Sequence, residues 1–126
     1  MNFPKDLKYT ADHEWVRCDG ERCYIGITDH AQNELGEIVY VDVDCMDEEF
    51  GQGEVFGSIE AVKTVADMIM PVAGKVVAIN EELEDAPELV NSDPYGKGWI
   101  IAIEGADEDQ FKALMSADAY TEMIGK

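Results

Sequence analysis

The sequence predicts a mainly β fold, either a small sandwich or a flattened barrel, trimmed with short helices. Short apolar segments of strand-like composition recur along most of the chain and are separated by turn residues such as Asp19-Gly20 and Pro71. From Asp107 to Lys126 the pattern changes to apolar residues spaced three or four apart, which indicates one or two amphipathic helices. About six or seven short strands spaced by turns favour this architecture over a parallel sheet with crossover helices.

The length and composition indicate one folded unit. A chain of 126 residues is the size of a single domain, and we expect residues 1–126 to form one. Its 46% hydrophobic content argues against disorder, despite a formal net charge of −19. A chain this negative is repelled by nucleic acid and by anionic membranes, so neither is an expected partner. Most of the carboxylates serve solubility, and steering toward basic docking sites is the alternative.

Two features bear on the compartment. No positively charged leader opens the chain and no apolar stretch approaches the roughly 18 residues of a membrane span, so we expect a cytoplasmic protein. Cys18, Cys23 and Cys45 include no CxxC repeat, which favours free thiols in a reducing compartment. Cys18 faces Cys23 if all of "DGER" forms the hairpin loop, but lies opposite Glu21 if Asp19-Gly20 alone makes the turn. The turn rules leave both arrangements open.

Strands and one helix are predicted in the first part of the chain. The segments "EWVRC" and "CYIGIT", residues 14–18 and 23–28, predict two strands joined by a hairpin. The segment "DHAQNELG", residues 29–36, predicts a short helix with its first aspartate as N-cap and its glycine as a left-handed C-cap. In "EIVYVDVD", residues 37–44, valines alternate with tyrosine and aspartates, so we expect another strand.

Further strands are predicted on both sides of Lys63 and toward the C-terminus. Their segments are "EVFGSIE", "ADMIMP", "GKVVAIN" and "GWIIAIE". Residues 81–97, which separate the last two, contain prolines, an asparagine and a glycine. This composition indicates an irregular surface segment.

Several common kinds of site are not encoded. Residues 42–49 are rich in carboxylates, but the segment lacks the glycine and the final glutamate that a calcium loop has at fixed positions. We therefore expect a solvated acidic turn and no metal site. His13 and His30 belong to different predicted elements and form no local ligand pair. Ser58 is not followed by the second glycine and the helix of a nucleophile elbow. We therefore expect no catalytic site of its own.

Lys63 is chemically isolated in the sequence. Between Cys23 and Gly74 there is no other Lys or Arg, and the segment "EAVKTVAD" interrupts two apolar segments. An exposed strand lysine is the ordinary interpretation. The alternative is an amine held at a hairpin bend, where an acylating enzyme could reach it. The residues "AVKT" contain no Gly, Asn or Asp, so the turn rules do not establish the bend.

Four segments in order resemble the H protein of the glycine cleavage system, a lipoyl carrier, and together they span nearly the whole chain. They are "KYTADHEWV", "GITDHAQNELGEIVYVDV", "GSIEAVKTVADMIMPVAGKVVAIN" and "PELVNSDPYGKGWI". The resemblance implies a barrel-sandwich hybrid fold of the lipoyl-domain type, with short helices near residues 29–35 and at the C-terminus. It also implies a lipoyl hairpin at about residues 55–72, with the lysine at its tip.

The resemblance assigns roles to individual residues. Lys63 corresponds to the lysine that carries covalent lipoate, and Glu60 and Gly74 to positions that lipoylating enzymes recognise, with Gly74 letting the backbone turn beneath the tip. Six further residues are expected in a cleft that shelters the aminomethyl-loaded arm: Glu14, Ile27, Thr28, His30, Glu34 and Asp67. Some family members, notably plant-like ones, carry a histidine where this chain has Glu34, so the imidazole contact is absent here.

The implied function is carriage rather than catalysis. The resemblance implies that lipoyl-Lys63 takes an aminomethyl group from the pyridoxal-phosphate glycine decarboxylase to the folate-dependent aminomethyltransferase, and electrons to dihydrolipoyl dehydrogenase, in glycine catabolism. Lipoate-attaching enzymes are further expected partners, and the carrier is expected to be a monomer. A mature organellar form would instead lie in the mitochondrial matrix.

Two other hypotheses about the function compete with the H-protein resemblance. A lipoyl or biotinyl carrier domain of another multienzyme complex would share the hairpin lysine, but biotin acceptors usually have methionines beside it, whereas Val62 and Thr64 flank Lys63. An acidic interaction protein without a prosthetic group is the alternative from a different class. Lipoate on Lys63 would exclude a biotinyl carrier and a protein without a prosthetic group.

Overall fold

The computed structural model of the protein describes residues 1–125. It contains two antiparallel sheets and five short helices. The strands are β1 Lys8–Tyr9, β2 Glu14–Asp19, β3 Arg22–Ile27, β4 Ile38–Asp42, β5 Glu49–Phe50, β6 Val55–Ala61, β7 Val65–Ile69, β8 Gly74–Ile79 and β9 Ile101–Glu104. The helices are α1 Asp29–Leu35, α2 Glu82–Asp85, α3 Leu89–Ser92, α4 Glu108–Ala113 and α5 Ala117–Met123.

The sheets differ in size and connectivity. The six-stranded sheet has the order β1-β2-β3-β9-β8-β5, and the three-stranded sheet has the order β4-β6-β7. Every pair of neighbouring strands is antiparallel. The segments predicted as strands all contain one, so the mainly β fold expected from the apolar segments is confirmed.

The main core lies between the two sheets. Ile59 and Met68 of the small sheet are at most 1% exposed and belong to the same apolar cluster as Ile25, Ile101 and Ile103 of the large sheet. Burial of this kind stabilises a domain by roughly 25 cal/mol for each Å² of apolar surface removed from water. The small sheet is therefore held against the large one by side chains that β6 and β7 contribute on alternate positions.

A second apolar cluster lies under the chain termini. Tyr9, Trp15 and Tyr120 are fully buried there, and the rings of Tyr9 and Tyr120 stack with centroids 4.9 Å apart. The Trp15 indole donates to the carbonyl of Pro94 at 3.0 Å. Gly26 lies so close to this indole that a Cβ there would be 2.7 Å from the ring, so the position requires glycine. The C-terminal helix predicted from apolar spacing is thus part of the core.

The register of the first hairpin corrects the prediction about cysteines. Asp19 pairs with Arg22 and Cys18 with Cys23, so the two-residue turn is Gly20-Glu21 rather than Asp19-Gly20. Gly20 has φ 66°, the conformation that glycine adopts readily at the first turn position. Directly opposite positions bring the Cα atoms of the two cysteines to 3.9 Å, and they form a disulfide. The expectation of free thiols was therefore wrong for this pair, while Cys45 is free and buried.

Helix boundaries also differ from the predictions. The N-cap of α1 is Thr28, whose hydroxyl accepts from the Ala31 N–H, rather than Asp29, which is the first helical residue. Gly36 is the C-cap of α1, as predicted, but its φ of 82° is combined with a ψ of −155°, which is not the left-handed helical conformation expected. Residues 81–97 are not irregular throughout: α2 buries Leu83 and α3 buries Val90 against the main core. The prediction failed because each helix offers a single buried residue, too few for a visible period.

No helix within residues 1–125 is long and apolar enough to cross a membrane. In the same part of the chain, no group of three or more His, Cys, Asp and Glu side chains is arranged to hold a metal ion.

Candidate functional site

Lys63 lies at the tip of the β6–β7 hairpin. The two strands pair with Glu60 opposite Val65 and Ser58 opposite Asp67. Beyond the last ladder pair, the Ala61 N–H donates to the Thr64 carbonyl at 2.8 Å, which leaves only Val62 and Lys63 between them. The side chain of Lys63 is exposed. The bend that the turn rules could not establish is therefore present, and it presents the amine to solvent.

The tip bends without the residues that hairpin turns usually require. Neither Val62 nor Lys63 has a positive φ, so no left-handed conformation is imposed on a β-branched residue. The Val62 N–H donates to the carbonyl of Glu37, just before β4, at 3.0 Å. A neighbouring strand segment thus fixes the tip, which explains why local turn chemistry gave no signal.

The surroundings of Lys63 leave its amine unpaired. In residues 1–125, two ion pairs lie within 4.0 Å, Lys5 with Asp118 and Arg22 with Glu104, and neither involves Lys63. Glu60 is exposed on β6, three residues before the lysine, and lies between Tyr40 and Val65 on the neighbouring strands. The amine is consequently available to a partner rather than committed to an internal contact.

Gly74 is not where the resemblance suggested a turn. It begins β8 in the large sheet, opposite Phe50, after the chain has run the length of β7 away from the tip. Its φ is not in the left-handed region, and a Cβ there would lie 2.8 Å from Cδ1 of Ile103. The physical reason for glycine is close packing on β9, so the idea that Gly74 lets the backbone turn beneath Lys63 was wrong.

Glu14 is a buried carboxyl at the start of β2. Its side chain is 3% exposed, and Oε2 accepts from the backbone N–H of Ile69 at 2.7 Å. Oε1 is also buried and has no hydrogen-bond partner among the described residues. Burial raises the pKa of Glu14 to about 8, and the Ile69 N–H opposes this shift. A polar atom left without a partner in the interior costs about 1–3 kcal/mol, so Oε1 is poised to accept a donor.

Glu14, whose Oε1 lacks a partner among the described residues, lines a cleft between the two sheets and α1. The cleft has a volume of about 170 Å³. Four of the expected cleft residues line it: Glu14, Ile27, Glu34 and Asp67. The sequence reasoning missed seven others, which are Asp12, His13, Ala31, Leu35, Ile59, Ala66 and Met68. The spacing of Ala31 and Leu35 on α1 and the alternation of Ala66 and Met68 on β7 were the signals that could have found them.

Thr28 and His30 do not line the cleft. The Thr28 hydroxyl caps α1 and is 2.8 Å from the hydroxyl of Tyr120, which is also 2.8 Å from Nδ1 of His13. The His13 and His30 rings lie with centroids 4.9 Å apart. Burial and the neighbouring His30 lower the pKa of His13. His13 lines the cleft, whereas Thr28 and His30 contact the Tyr120–His13 pair from outside it.

The cleft suits one kind of ligand. Its walls are mostly apolar, Glu14 contributes a buried oxygen without a hydrogen-bond partner among the described residues, and Glu34 and Asp67 are exposed. Such a site favours a small group that carries N–H donors or a positive charge on an apolar chain. Asp67 is four residues from Lys63 along β7, or about 13 Å of strand, so an extended side chain on the lysine could reach it.

Comparison with known proteins agrees with the fold. The family described as glycine cleavage H-protein matches residues 7–126. The crystal structure of a glycine cleavage system H protein from Mycobacterium marinum is similar, with a TM-score of 0.87 and 34% sequence identity, over 98% of this chain and 99% of that chain. The similarity confirms the expected barrel-sandwich hybrid fold. The chain therefore belongs to the glycine cleavage H-protein family, whose members are lipoyl carriers.

Proposed function

We propose that Lys63 carries covalent lipoate and that the chain shuttles an aminomethyl group and electrons within the glycine cleavage system. The observation that carries the proposal is the exposed, unpaired amine at the tip of the β6–β7 hairpin among the described residues. The proposed unit is the whole chain, residues 1–126, with residues 55–72 as the lipoyl hairpin. In this role the chain is a carrier and not an enzyme.

The amine is positioned for acylation. Nζ of Lys63, once deprotonated, attacks the carbonyl carbon of an adenylate of lipoate; an amide C–N bond forms, the C–O bond to AMP breaks, and the amine loses a proton to solvent. Exposure at the tip gives an acylating enzyme access from several directions. Glu60 and Gly74 are the proposed recognition positions, with Glu60 as the accessible charge.

The residues of the cleft fit the loaded arm. Lipoate, once attached, would supply a disulfide of which one sulfur can carry the aminomethyl group while the other becomes a thiol. Glu14 Oε1 lacks a partner in the described part of the chain, and a cationic amine would supply one and favour the ionised carboxylate. Ile27 and Met68 keep water from the same space. The exposed Asp67 and Glu34 add negative charge to the cleft, while Thr28 and His30 contact the Tyr120–His13 pair from outside it.

The proposed partners follow from the family. They are the pyridoxal-phosphate glycine decarboxylase, the folate-dependent aminomethyltransferase, dihydrolipoyl dehydrogenase and the lipoate-attaching enzymes. A net charge of −19 supports docking on basic surfaces. We propose a monomer that acts in the cytoplasm. The match of the H-protein family to residues 7–126 favours this system over another multienzyme complex.

Mass spectrometry after acylation tests the proposal. The purified chain is incubated with lipoate–protein ligase, lipoate and MgATP, then digested and sequenced by fragmentation. We expect one lipoyl group, on Lys63, and none on the exposed Lys75, which serves as an internal control. Lys63→Arg should fold as the wild type does, accept no lipoate and support no glycine decarboxylation with the partner enzymes. Full activity of Lys63→Arg would refute the proposal.

A further inference from the structure

Exposed apolar side chains concentrate around the lysine. Val39, Tyr40, Val62 and Val65 are between 46% and 65% exposed, and all four lie on the small sheet or at its hairpin tip. We call these four residues the tip face. Scattered exposed apolar residues are ordinary on a protein surface, but a group beside a functional residue suggests an interaction surface.

The strand register makes part of the tip face continuous. Tyr40 of β4 lies opposite Glu60 of β6, and Glu60 lies opposite Val65 of β7. Residues opposite one another in antiparallel strands project from the same side of the sheet. All three are exposed, so they form a row across the whole small sheet with a carboxylate at its centre.

An acidic groove begins at Tyr40 and runs between β4 and α2, with a volume of about 440 Å³. The buried residues Leu83 and Ile100 form its apolar floor. Its rim carries the carboxylates of Asp42, Asp44 and Glu84, and no Lys or Arg within residues 1–125 lines it. The tip face and the acidic groove together therefore complement a partner that offers apolar contacts surrounded by basic side chains.

We propose that the tip face docks the enzyme that acylates Lys63, with an apolar socket for Tyr40, and that the acidic groove attracts a basic surface of the same enzyme. This inference rests on the proposed function. The acylating enzyme must bring its activated carbonyl to Nζ of Lys63 itself. It therefore has to contact the surface directly around the lysine, which includes the tip face. Enzymes that act on the loaded arm can meet its far end instead.

The dimensions of a standard interface place Tyr40 inside the footprint but leave the acidic groove at or beyond its edge, since Asp42 lies opposite Ser58, about 17 Å of strand from Lys63. A standard interface covers about 800 Å² on each partner, equivalent to a disc of roughly 16 Å radius. Tyr40 lies opposite a residue only three positions from Lys63, or about 10 Å of strand, and falls within a disc centred on the lysine. Val55, eight positions from Lys63 along β6, is about 26 Å away and falls outside it.

Steady-state acylation by lipoate–protein ligase, with lipoate and MgATP, tests the docking. Apo wild type, Tyr40→Ser and Val55→Ser are compared at increasing carrier concentration. Val55 is the matched control, because it is an apolar residue of the same sheet and is 52% exposed. A buried aromatic anchor dominates many interfaces, so we expect the KM for Tyr40→Ser to rise about tenfold or more, with kcat little changed and Val55→Ser like the wild type.

A separate measurement, the dependence of kcat/KM on ionic strength, tests the acidic groove. Asp42→Asn combined with Asp44→Asn should lower kcat/KM at low salt and flatten its dependence on ionic strength, because fewer carboxylates steer the basic partner. Circular dichroism and thermal unfolding verify that each variant is folded. Equal KM values for Tyr40→Ser and Val55→Ser, with wild type acylated normally, would overturn the docking proposal alone. A wild type that the ligase does not acylate would overturn the proposed function itself.

Discussion

The backbone N–H of Ile69 donates a hydrogen bond to Oε2 of Glu14 across 2.7 Å and so joins the last residue of β7 to the first residue of β2. The two strands belong to different sheets. The contact therefore fixes the arm-bearing hairpin against the large sheet at the cleft. Glu14 is buried at this junction, and its second oxygen has no hydrogen-bond partner within residues 1–125.

Glu14 should make stability fall as the pH rises. Its pKa is about 8 in the folded chain against 4.5 as the ordinary value, so between these pH values the folded state holds a proton that the unfolded state has released. The free energy of unfolding then decreases by about 1.4 kcal/mol per pH unit from this group. Glu14→Gln cannot ionise and should lack this contribution. Urea unfolding at pH 5, 6, 7 and 8 measures the difference between the two slopes.

The control for this experiment is Glu34→Gln. Glu34 lines the same cleft but is exposed, so its substitution should leave the pH dependence of unfolding close to that of the wild type. Parallel profiles for wild type and Glu14→Gln would mean that the Glu14 carboxyl is not buried in solution.

Glu14 should also protect the loaded carrier. A cationic amine paired with a buried carboxylate contributes about 1.5–3 kcal/mol, which corresponds to roughly 10- to 100-fold in occupancy of the cleft. We therefore expect Glu14→Gln, once lipoylated and loaded with the aminomethyl group, to release formaldehyde and ammonia to water at least about tenfold faster. Colorimetric assay of formaldehyde follows the reaction.

Glu108→Gln is the matched control, because it makes the same substitution on α4, away from the cleft. Equal release rates for the two variants would show that the position in the cleft is not responsible. Lipoylation itself should proceed in both, since Lys63 is unaltered.

The Cys18–Cys23 disulfide should stabilise the first hairpin. Its cysteines are only 5 positions apart, and a loop this short limits the stabilisation to about 2 kcal/mol in the chain-entropy treatment. Cys18→Ser combined with Cys23→Ser should lower the free energy of unfolding by about that amount. Thiol titration of the oxidised protein should detect a single cysteine, Cys45, and only after denaturation, because it is buried and its pKa is raised to about 11. Three reactive thiols in the untreated protein would contradict the disulfide.

Local patterns predicted the strands, whereas the features missed depend on distant residues. The composition of "EWVRC" predicts a strand. It does not tell whether Glu14 is a surface charge or a buried carboxyl, because that depends on packing against Ile69, which is 55 positions away. The hairpin tip that carries Lys63 is likewise held by a hydrogen bond to a distant residue, the carbonyl of Glu37. The disulfide depended on which two residues form the turn, because moving the turn by one residue decides whether Cys18 lies opposite Cys23 or opposite Glu21.

The cleft residues were predictable only in part. Glu14, Ile27 and Asp67 came from the family resemblance and do line the cleft, while their roles remain predictions. His13 was passed over because a lone histidine before a strand carries no pattern. Its φ of 67° and its contact with Tyr120 come from a tight turn closed by the C-terminal helix, which sequence spacing does not reveal.

Gly74 provides a test that separates packing from enzyme recognition. Gly74→Ala introduces a methyl group 2.8 Å from Cδ1 of Ile103, so we expect a loss of about 1–3 kcal/mol in unfolding free energy from overpacking. Ile103→Val removes that Cδ1 atom and alone costs about 0.5–1.5 kcal/mol. Combined, the two substitutions should cost less than the sum of their separate effects, because each relieves the other. Denaturant unfolding of the four proteins completes the cycle.

Acylation of the double variant then decides the second role. If Gly74 matters only for packing on β9, the repacked protein should be lipoylated at the rate of the Ile103→Val protein. A persistently slow rate with restored stability would assign Gly74 to recognition by the acylating enzyme. Strict additivity of the two stability effects would instead contradict the close contact between Gly74 and Ile103 on which the packing explanation rests.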